Sequence, residues 1–304
     1  MDRIDDLVSV VLPFANAEQF LREAIDSVVS QTFSKWELIL VDDGSTDRSR
    51  EIALGYVRHA PTNIRYVTHD GNRNRGVTRS RNLGAENSEG AYLAFLDADD
   101  VWLPEKLEVQ VALMEGNREA GMVYGPSEYW FSWRGEKADR VPPVAPGEKL
   151  YTPPFLLLHS HPLGRYGAPC PSSFLIRREA FNKVGGFPEE FRPDTYQLYE
   201  DSAFLSKVYL NSPVFVTRHT TEKYRCHPDS IWFRTQGKTS EETERRYFFC
   251  WLRAYLRAIG VKDSAIWRAV RREAWMYWLP LPNFVTRILR RGANRLRRRA
   301  VPSE

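Results

Sequence analysis

Short apolar runs alternate with amphipathic segments along the first 115 residues or so of the 304-residue chain. Four of the runs are rich in β-branched and aromatic residues, as buried strands are. They span residues 7–12, 36–41, 64–68 and 91–96. Between them, apolar residues recur at the three- and four-residue spacing of helices. This alternation predicts an α/β fold in which helices flank a mostly parallel sheet.

The pattern is less regular in the second half of the chain. Residues 125–170 are rich in Pro, Gly, Trp and Tyr and predict irregular structure draped over the sheet. After Ser240 the spacing is mainly helical. We therefore expect an α/β catalytic domain over residues 1–235 and a helical C-terminal extension over residues 236–304. Asn16 is expected to cap the first helix of the chain.

Positive charge is concentrated near the C-terminal end. The formal net charge is +4, but residues 245–304 carry 15 Lys/Arg and 3 Asp/Glu, a net of +12, and the other residues sum to −8. In this segment Phe248, Leu252 and Leu256 are spaced to pack against the catalytic domain. From Trp275 onward, aromatic residues and arginines predict contact with an anionic membrane surface, the alternative being a solvated helix. No nucleic-acid partner is expected, because no basic-aromatic stacking module is recognisable.

The sequence favours a cytoplasmic protein. Its three cysteines are scattered, which argues against disulfides and zinc clusters. The first residues are acidic, unlike a signal peptide, and no run of about 18 apolar residues occurs. A membrane contact would therefore be peripheral, on the inner face.

Two acidic pairs follow predicted strands, and ligands of parallel sheets bind at the carboxyl ends of strands. Asp97 and Asp99 can together reach one divalent cation, since Mg²⁺ and Mn²⁺ prefer oxygen ligands. Asp42 and Asp43 can accept a hydrogen bond from a nucleobase edge. The alternatives are that Asp99 helps to cap a helix beginning at Trp102, and that the second pair forms a solvated turn.

Four further polar residues are candidates for a site. Arg81 follows a Gly- and Asn-rich loop and can pair with phosphate. Glu200 and Asp201 open a predicted helix, although acidic residues there also complement the helix dipole. His227 stands alone, and such histidines are more often structural than ligating. No single one of these residues establishes an enzyme.

Taken in order, these segments resemble glycosyltransferase family 2, whose members are inverting enzymes with the GT-A (Rossmann-like) fold. The matching stretches are VSVVLPFANAEQFLREAIDSVVSQTFSKWELILVDDGSTD, GVTRSRNLGAENSEGAYLAFLDADDVWLPEKL, SSFLIRREAFNKVGGFPEEF, YEDSAF and YRCHPDS. The resemblance implies transfer of a sugar from a nucleotide diphosphate, by default a UDP-sugar, to a hydroxyl of a glycan or glycolipid. Residues 125–170 lie outside the shared pattern and are expected to shape the acceptor site.

The resemblance also implies which residues bind the donor. Pro13 and Asp43 would hold the nucleoside, with Asp42 close by. Asp97 would lie near the ribose, and Arg81 is added as a candidate phosphate ligand. These five positions form the expected nucleotide-binding set.

Metal and catalytic roles follow in the same way. Asp99 is the expected direct ligand of Mn²⁺ or Mg²⁺, helped by Asp97, and His227 would bind the metal or the diphosphate. Asp201 is the expected catalytic base, and Glu200 is its neighbour in the acidic pair.

Two other functions fit the sequence less well than transfer. A nucleotidyltransferase would need a Gly-rich, basic phosphate loop after the first strand, which LPFANAEQF does not supply. A non-catalytic nucleotide-sugar binding protein would not need both Asp99 and Asp201. Transfer therefore remains the favoured function, and the resemblance implies a metal-dependent glycosyltransferase of envelope or extracellular polysaccharide synthesis.

Overall fold

A computed structural model describes residues 6–135, 137–191, 198–230 and 239–278. Its central sheet has eight strands, which are β1 (Val8–Phe14), β2 (Trp36–Asp42), β3 (Ile64–Thr68), β4 (Tyr92–Phe95), β6 (Met122–Tyr124), β8 (Lys149–Tyr151), β9 (Phe174–Arg177) and β10 (Val214–Val216). A smaller sheet contains β5 (Val101–Trp102), β7 (Glu128–Trp130) and β11 (Glu222–Arg225).

The strands of the large sheet lie in the order β3-β2-β1-β4-β9-β6-β10-β8. Neighbours from β3 to β4 are parallel, as are β6 and β10. Strand β9 runs antiparallel between β4 and β6, and β8 is an antiparallel edge strand against β10. The predicted mostly parallel sheet is confirmed.

Nine helices lie in the described part of the chain. They are α1 (Leu21–Val29), α2 (Ser49–His59), α3 (Val77–Glu86), α4 (Lys106–Gly116), α5 (Phe155–His159), α6 (Arg178–Lys183), α7 (Glu200–Asn211), α8 (Thr239–Ala258) and α9 (Ser264–Trp278). Side chains alternate between the faces of a strand, so Val10 and Leu12 of β1 pack with α1, α2 and α4, whereas Val11 belongs to the cluster containing α3 and α5 to α9. The fold is thus a three-layer α/β sandwich.

The C-terminal helices share the core of the sheet. Phe248, Leu252 and Leu256 of α8 are fully buried, as predicted, and Val270 of α9 joins the same hydrophobic cluster. The division at residue 235 stays a prediction. The membrane expectation for the segment after Trp275 falls almost entirely on residues outside those described. No described helix combines the length and apolar character needed to cross a bilayer.

Two local predictions were wrong. Residues 125–170 contain β7, β8 and α5, which are too short to give a clear periodic signal. Asn16 does not cap α1. Its backbone has φ +52°, and its side-chain amide forms hydrogen bonds outside that helix. Its Oδ1 accepts hydrogen bonds from the Thr46 N–H at 2.8 Å and the Asp47 N–H at 3.3 Å, in the loop that leads to α2.

Candidate active site

The turn after β2 is built around Asp43. Its carboxylate is buried and accepts hydrogen bonds from the Arg75 N–H at 2.6 Å and the Gly76 N–H at 2.9 Å. Gly44 next to it has φ +79°, and a Cβ there would lie 2.7 Å from the backbone nitrogen of Asn74. The turn therefore needs glycine, and Asp43 orders the loop that precedes α3.

Asp42 ends β2 and is fully buried. It accepts hydrogen bonds from the Ser45 N–H at 2.8 Å and the Tyr66 hydroxyl at 2.7 Å. Burial, and then this hydrogen bond, raise the pKa of Tyr66 to about 12. Pro13 pairs with Val41 on the adjoining strand. Thus three predicted nucleoside-binding residues meet at the carboxyl ends of β1 and β2, and their role stays a prediction.

Asp97 and Asp99 lie in the loop after β4. The two carboxylates differ in their partners: Asp97 contacts Arg81, whereas Asp99 Oδ2 lies 3.0 Å from His227 Nε2. The His227 side chain is mostly buried and that of Asp99 is about one-third exposed. No group of three or more His, Cys, Asp or Glu in the described ranges has metal-site geometry. The Asp99 carboxylate is an oxygen ligand of the kind that Mn²⁺ and Mg²⁺ prefer, and an imidazole nitrogen is a common ligand of transition metals.

The alternative that the acidic loop caps a helix at Trp102 is wrong. Trp102 lies in β5, and its indole N–H donates to the Ser172 carbonyl at 2.9 Å. The buried Asp100 accepts hydrogen bonds from the Ser172 hydroxyl at 2.6 Å and the Arg225 N–H at 3.0 Å. Burial, and then the charge of Asp99, raise the pKa of Asp100 well above its usual value. Asp100 therefore ties the loop to the smaller sheet.

Arg225 is a residue of the site that sequence reasoning missed. Its guanidinium carbon lies 4.5 Å from the ring centre of Trp130 and 4.9 Å from those of Phe20 and Trp133. Its Nε donates to the Asp99 carbonyl at 2.7 Å. The sequence signal was only its place two residues before the candidate histidine. Arg225 thus clamps the acidic loop against aromatic residues, two of which come from the segment 125–170.

Arg81 bridges two candidate residues. Only 2% of its side chain is exposed, and its guanidinium contacts Asp97 Oδ1 at 2.6 Å and Glu200 Oε1 at 3.3 Å. The ring of Phe187 packs against it, with a centroid distance of 5.1 Å. The predicted phosphate contact is untested, but this guanidinium already joins the end of β4 to the start of α7.

Glu200 and Asp201 form the partly buried start of α7. Burial, and then the charge of Asp201, raise the pKa of Glu200 to about 8. Burial also raises the pKa of Asp201, although its Oδ1 accepts the Ser202 N–H at 2.5 Å. The preceding Tyr199 has φ +70° and packs on Phe248 of α8, with ring centres 5.6 Å apart. The raised pKa of Glu200 therefore favours its protonated form at neutral pH.

The geometry brings the predicted residues together as two linked groups. Arg81 joins Asp97 to the acidic pair of α7, and Asp99 joins His227 through the same loop. A polar edge of this kind combines cation ligands with a carboxyl pair able to accept a proton.

Comparison with known proteins gives a consistent family. A family model described as glycosyl transferase family 2 matches residues 9–185. A UDP-Glc:alpha-D-GlcNAc-diphosphoundecaprenol beta-1,3-glucosyltransferase of Escherichia coli is 36% identical over 124 residues, which are 41% of this chain and 47% of that protein. A glycosyltransferase of Rickettsia prowazekii is 31% identical over 218 residues, 69% of this chain and 63% of that protein. The match therefore spans less than two thirds of either relative.

Solved structures share the fold. S. aureus TarS 1-349 in complex with UDP-GlcNAc gives a TM-score of 0.68 at 20% identity, covering 89% of this chain and 72% of that one. A Pyrobaculum calidifontis mannosyltransferase in complex with GDP-Man and Mn²⁺ gives a TM-score of 0.59 at 16% identity, covering 88% of this chain and 69% of that one. At these identities the likeness concerns architecture, and it confirms the expected GT-A type.

Proposed function

This chain belongs to glycosyl transferase family 2, whose model covers more than half of it, and we propose that it transfers a sugar from a UDP-sugar to a hydroxyl group with inversion. The observation that carries the proposal is the partly buried pair Glu200–Asp201, linked through Arg81 to Asp97. A UDP-sugar donor is supported by the UDP-GlcNAc bound to TarS and by the UDP-Glc named for the E. coli relative. That relative's name also supports a glycan or glycolipid acceptor.

Asp201 is the catalytic base in this proposal. Because the pKa of Glu200 is raised to about 8, Glu200 holds a proton near neutral pH and Asp201 is left as the acceptor. The acceptor hydroxyl gives its proton to Asp201 while its oxygen bonds to the anomeric carbon. The bond to the diphosphate breaks in the same step, with its electron pair on the leaving oxygen. A single displacement of this kind inverts the anomeric configuration.

A divalent cation, Mn²⁺ or Mg²⁺, belongs to the same proposal. Asp99 and His227 would hold it, because they contact each other at 3.0 Å and offer an oxygen and a nitrogen ligand. When bound, the cation would neutralise charge on the diphosphate. Arg225 holds the Asp99 backbone in place by donating a hydrogen bond to its carbonyl. The Mn²⁺ in the Pyrobaculum mannosyltransferase supports this part of the proposal.

A cytoplasmic location completes the proposed function. Its support is that Cys170, Cys226 and Cys250 are all free thiols, as in a reducing compartment.

Donor hydrolysis tests the role of Asp201 without knowledge of the acceptor. UDP release would be measured for a panel of UDP-sugars with Mn²⁺, and UDP binding by thermal shift. Asp201→Asn should bind UDP like the parent but turn over about 10²–10⁴-fold more slowly, the usual contribution of a general base. The matched control is Asp139→Asn, a carboxylate outside the site that bonds Ser132. Retention of a tenth or more of parental turnover by Asp201→Asn would reject Asp201 as the base.

A further inference from the structure

Two tryptophans hold the backbone that leads to His227. Strand β7, which ends at Trp130, pairs in parallel with β11. The Cys226 N–H donates to the Trp130 carbonyl at 3.1 Å, and the Cys226 carbonyl accepts the indole N–H of Trp133, also at 3.1 Å. Both backbone groups of Cys226 are therefore bonded by these tryptophans, which fixes the position of the next residue, His227.

The imidazole ring of His227 packs beside two aromatic rings. Its centre lies 5.2 Å from that of Phe20 and 6.5 Å from that of Trp133, and these two rings meet edge to face at 5.7 Å. The His227 side chain is about one-tenth exposed, and its Nε2 lies 3.0 Å from Asp99 Oδ2. Packing against the two rings restricts rotation of the imidazole and keeps Nε2 beside Asp99.

Ring packing carries particular weight at this histidine. A histidine that binds a metal usually has its second ring nitrogen held by a hydrogen bond, which fixes the orientation of the ring. Among the described residues, no group forms such a bond with His227 Nδ1, and the hydrogen-bond contact of this ring is that of Nε2 with Asp99. The orientation of the ring therefore depends on Phe20 and Trp133.

We propose that Trp133, together with Phe20, is a positioning residue for His227 and thereby for the divalent cation. This role rests on the proposed function, in which Asp99 and His227 hold Mn²⁺ or Mg²⁺. Trp133 belongs to residues 125–170, which are expected from the sequence to shape the acceptor site. Its contacts lie instead with a cation ligand, so a residue outside the shared pattern of the family supports the donor side of the site.

Equilibrium binding of radiolabelled UDP to the full chain, measured over a range of Mn²⁺ concentrations, tests this role. Trp133→Phe keeps an aromatic ring and removes the indole N–H. It should raise the Mn²⁺ concentration needed for half-maximal UDP binding about 10–100-fold, as the loss of a residue that supports a metal ligand does. At saturating Mn²⁺ its UDP affinity should return to that of the parent.

Trp267→Phe is the matched control. Trp267 is also partly buried, and its indole N–H donates to the Val261 carbonyl at 2.8 Å, in the C-terminal extension. The substitution therefore removes the same kind of hydrogen bond and the same ring area far from the cation ligands. Trp267→Phe should keep the Mn²⁺ requirement of the parent.

A double variant shows whether Trp133 acts through His227. His227→Ala should itself raise the Mn²⁺ requirement, and adding Trp133→Phe should raise it no further, because substitutions that act through one group are not additive. Thermal unfolding shows whether each variant is folded. If Trp133→Phe is not, Phe20→Leu, which removes the other ring beside His227 and has the same expected result, takes its place.

Three results would overturn the positioning role and leave the proposed function intact. The first is a parental Mn²⁺ requirement in Trp133→Phe while that of His227→Ala is raised. The second is a loss of UDP affinity that persists at saturating Mn²⁺, which would mean that the ring contacts the nucleotide. The third is an additive effect in the double variant. If the parent binds UDP without Mn²⁺, or His227→Ala keeps the parental requirement, the proposed cation site fails and the positioning role fails with it.

Discussion

Replacing Arg81 with leucine should destabilise the protein, because Asp97 loses its ion-pair partner and Glu200 loses a hydrogen-bond donor. Its guanidinium is 2% exposed and lies 2.6 Å from Asp97 and 3.3 Å from Glu200. Removing one partner of a buried ion pair typically costs about 3–5 kcal/mol, because the remaining charge is desolvated and unpaired. The Asp97 side chain is 25% exposed, so water screens part of that cost. We therefore expect the lower end, about 3 kcal/mol.

Arg79 provides a matched control on the same helix. Its pair with Glu189 is just as short, at 2.9 Å, but the Arg79 side chain is 38% exposed. Exposed pairs contribute about 0–1 kcal/mol, so Arg79→Leu should cost less than a third of what Arg81→Leu costs. Urea unfolding measures the free energy of unfolding of both variants, provided that the m-value stays that of the parent. Equal losses in the two variants would refute the view that burial decides the energy of these pairs.

The pH dependence gives a second check on Arg81. Without the Arg81 guanidinium, the pKa of Glu200 rises further above the value of 4.5 expected for the unfolded chain. A carboxyl with a raised folded pKa binds more protons in the native state, so stability is present at low pH and lost as pH increases. Parent and variant lose this stability together from about pH 4.5, and they separate only as the pH passes about 8, where Glu200 of the parent ionises. The deficit of Arg81→Leu should therefore be larger at pH 9 than at pH 7. A deficit that is independent of pH would contradict the proposed coupling of Arg81 to the acidic pair.

Two further variants test other contacts of the site. Arg225→Met removes the hydrogen bond to the Asp99 carbonyl. It should weaken Mn²⁺-dependent UDP binding about 10–100-fold, as the loss of a residue that supports a metal ligand does. Calorimetry on the folded variant measures the affinity, and an unchanged affinity would reject Arg225 as a positioning residue. Glu200→Gln removes the group whose pKa is raised to about 8, so its stability should fall less than that of the parent between pH 5 and pH 8; parallel unfolding profiles would show that Glu200 does not titrate in this range.

The elements that carry the site were predictable because each combines a strong apolar run with an abrupt polar end. The strand predicted at residues 36–41 became β2, Trp36–Asp42, and the one at 91–96 became β4, Tyr92–Phe95. A parallel sheet then places the residues after these strands at one edge. The positions of Asp42 and Asp97 follow from local pattern and topology alone.

The clamp around Arg225 had no such local pattern. Its aromatic partners are Phe20, Trp130 and Trp133, which lie more than 90 residues away in the chain. Stacking between a cation and rings depends on tertiary packing, and its sequence spacing is arbitrary. Strand β8 was missed for a related reason: three residues are too few to show a period of two, and only its pairing with β10 makes it a strand.

The order of synthesis leaves one face of the sheet only partly covered for seconds. The hydrophobic cluster on that face runs from Val11 in the first strand to Ala274 in the last described helix. Residues 185–278, which include α7, α8 and α9, take about 5–20 s to synthesise at ribosomal rates. Until they emerge, Ile39 and Phe95 have only the part of their cover that α3 and α6 supply, whereas α1, α2 and α4 already shield the opposite face. On the ribosome this chain therefore displays a one-sided apolar surface, the kind that general chaperones bind.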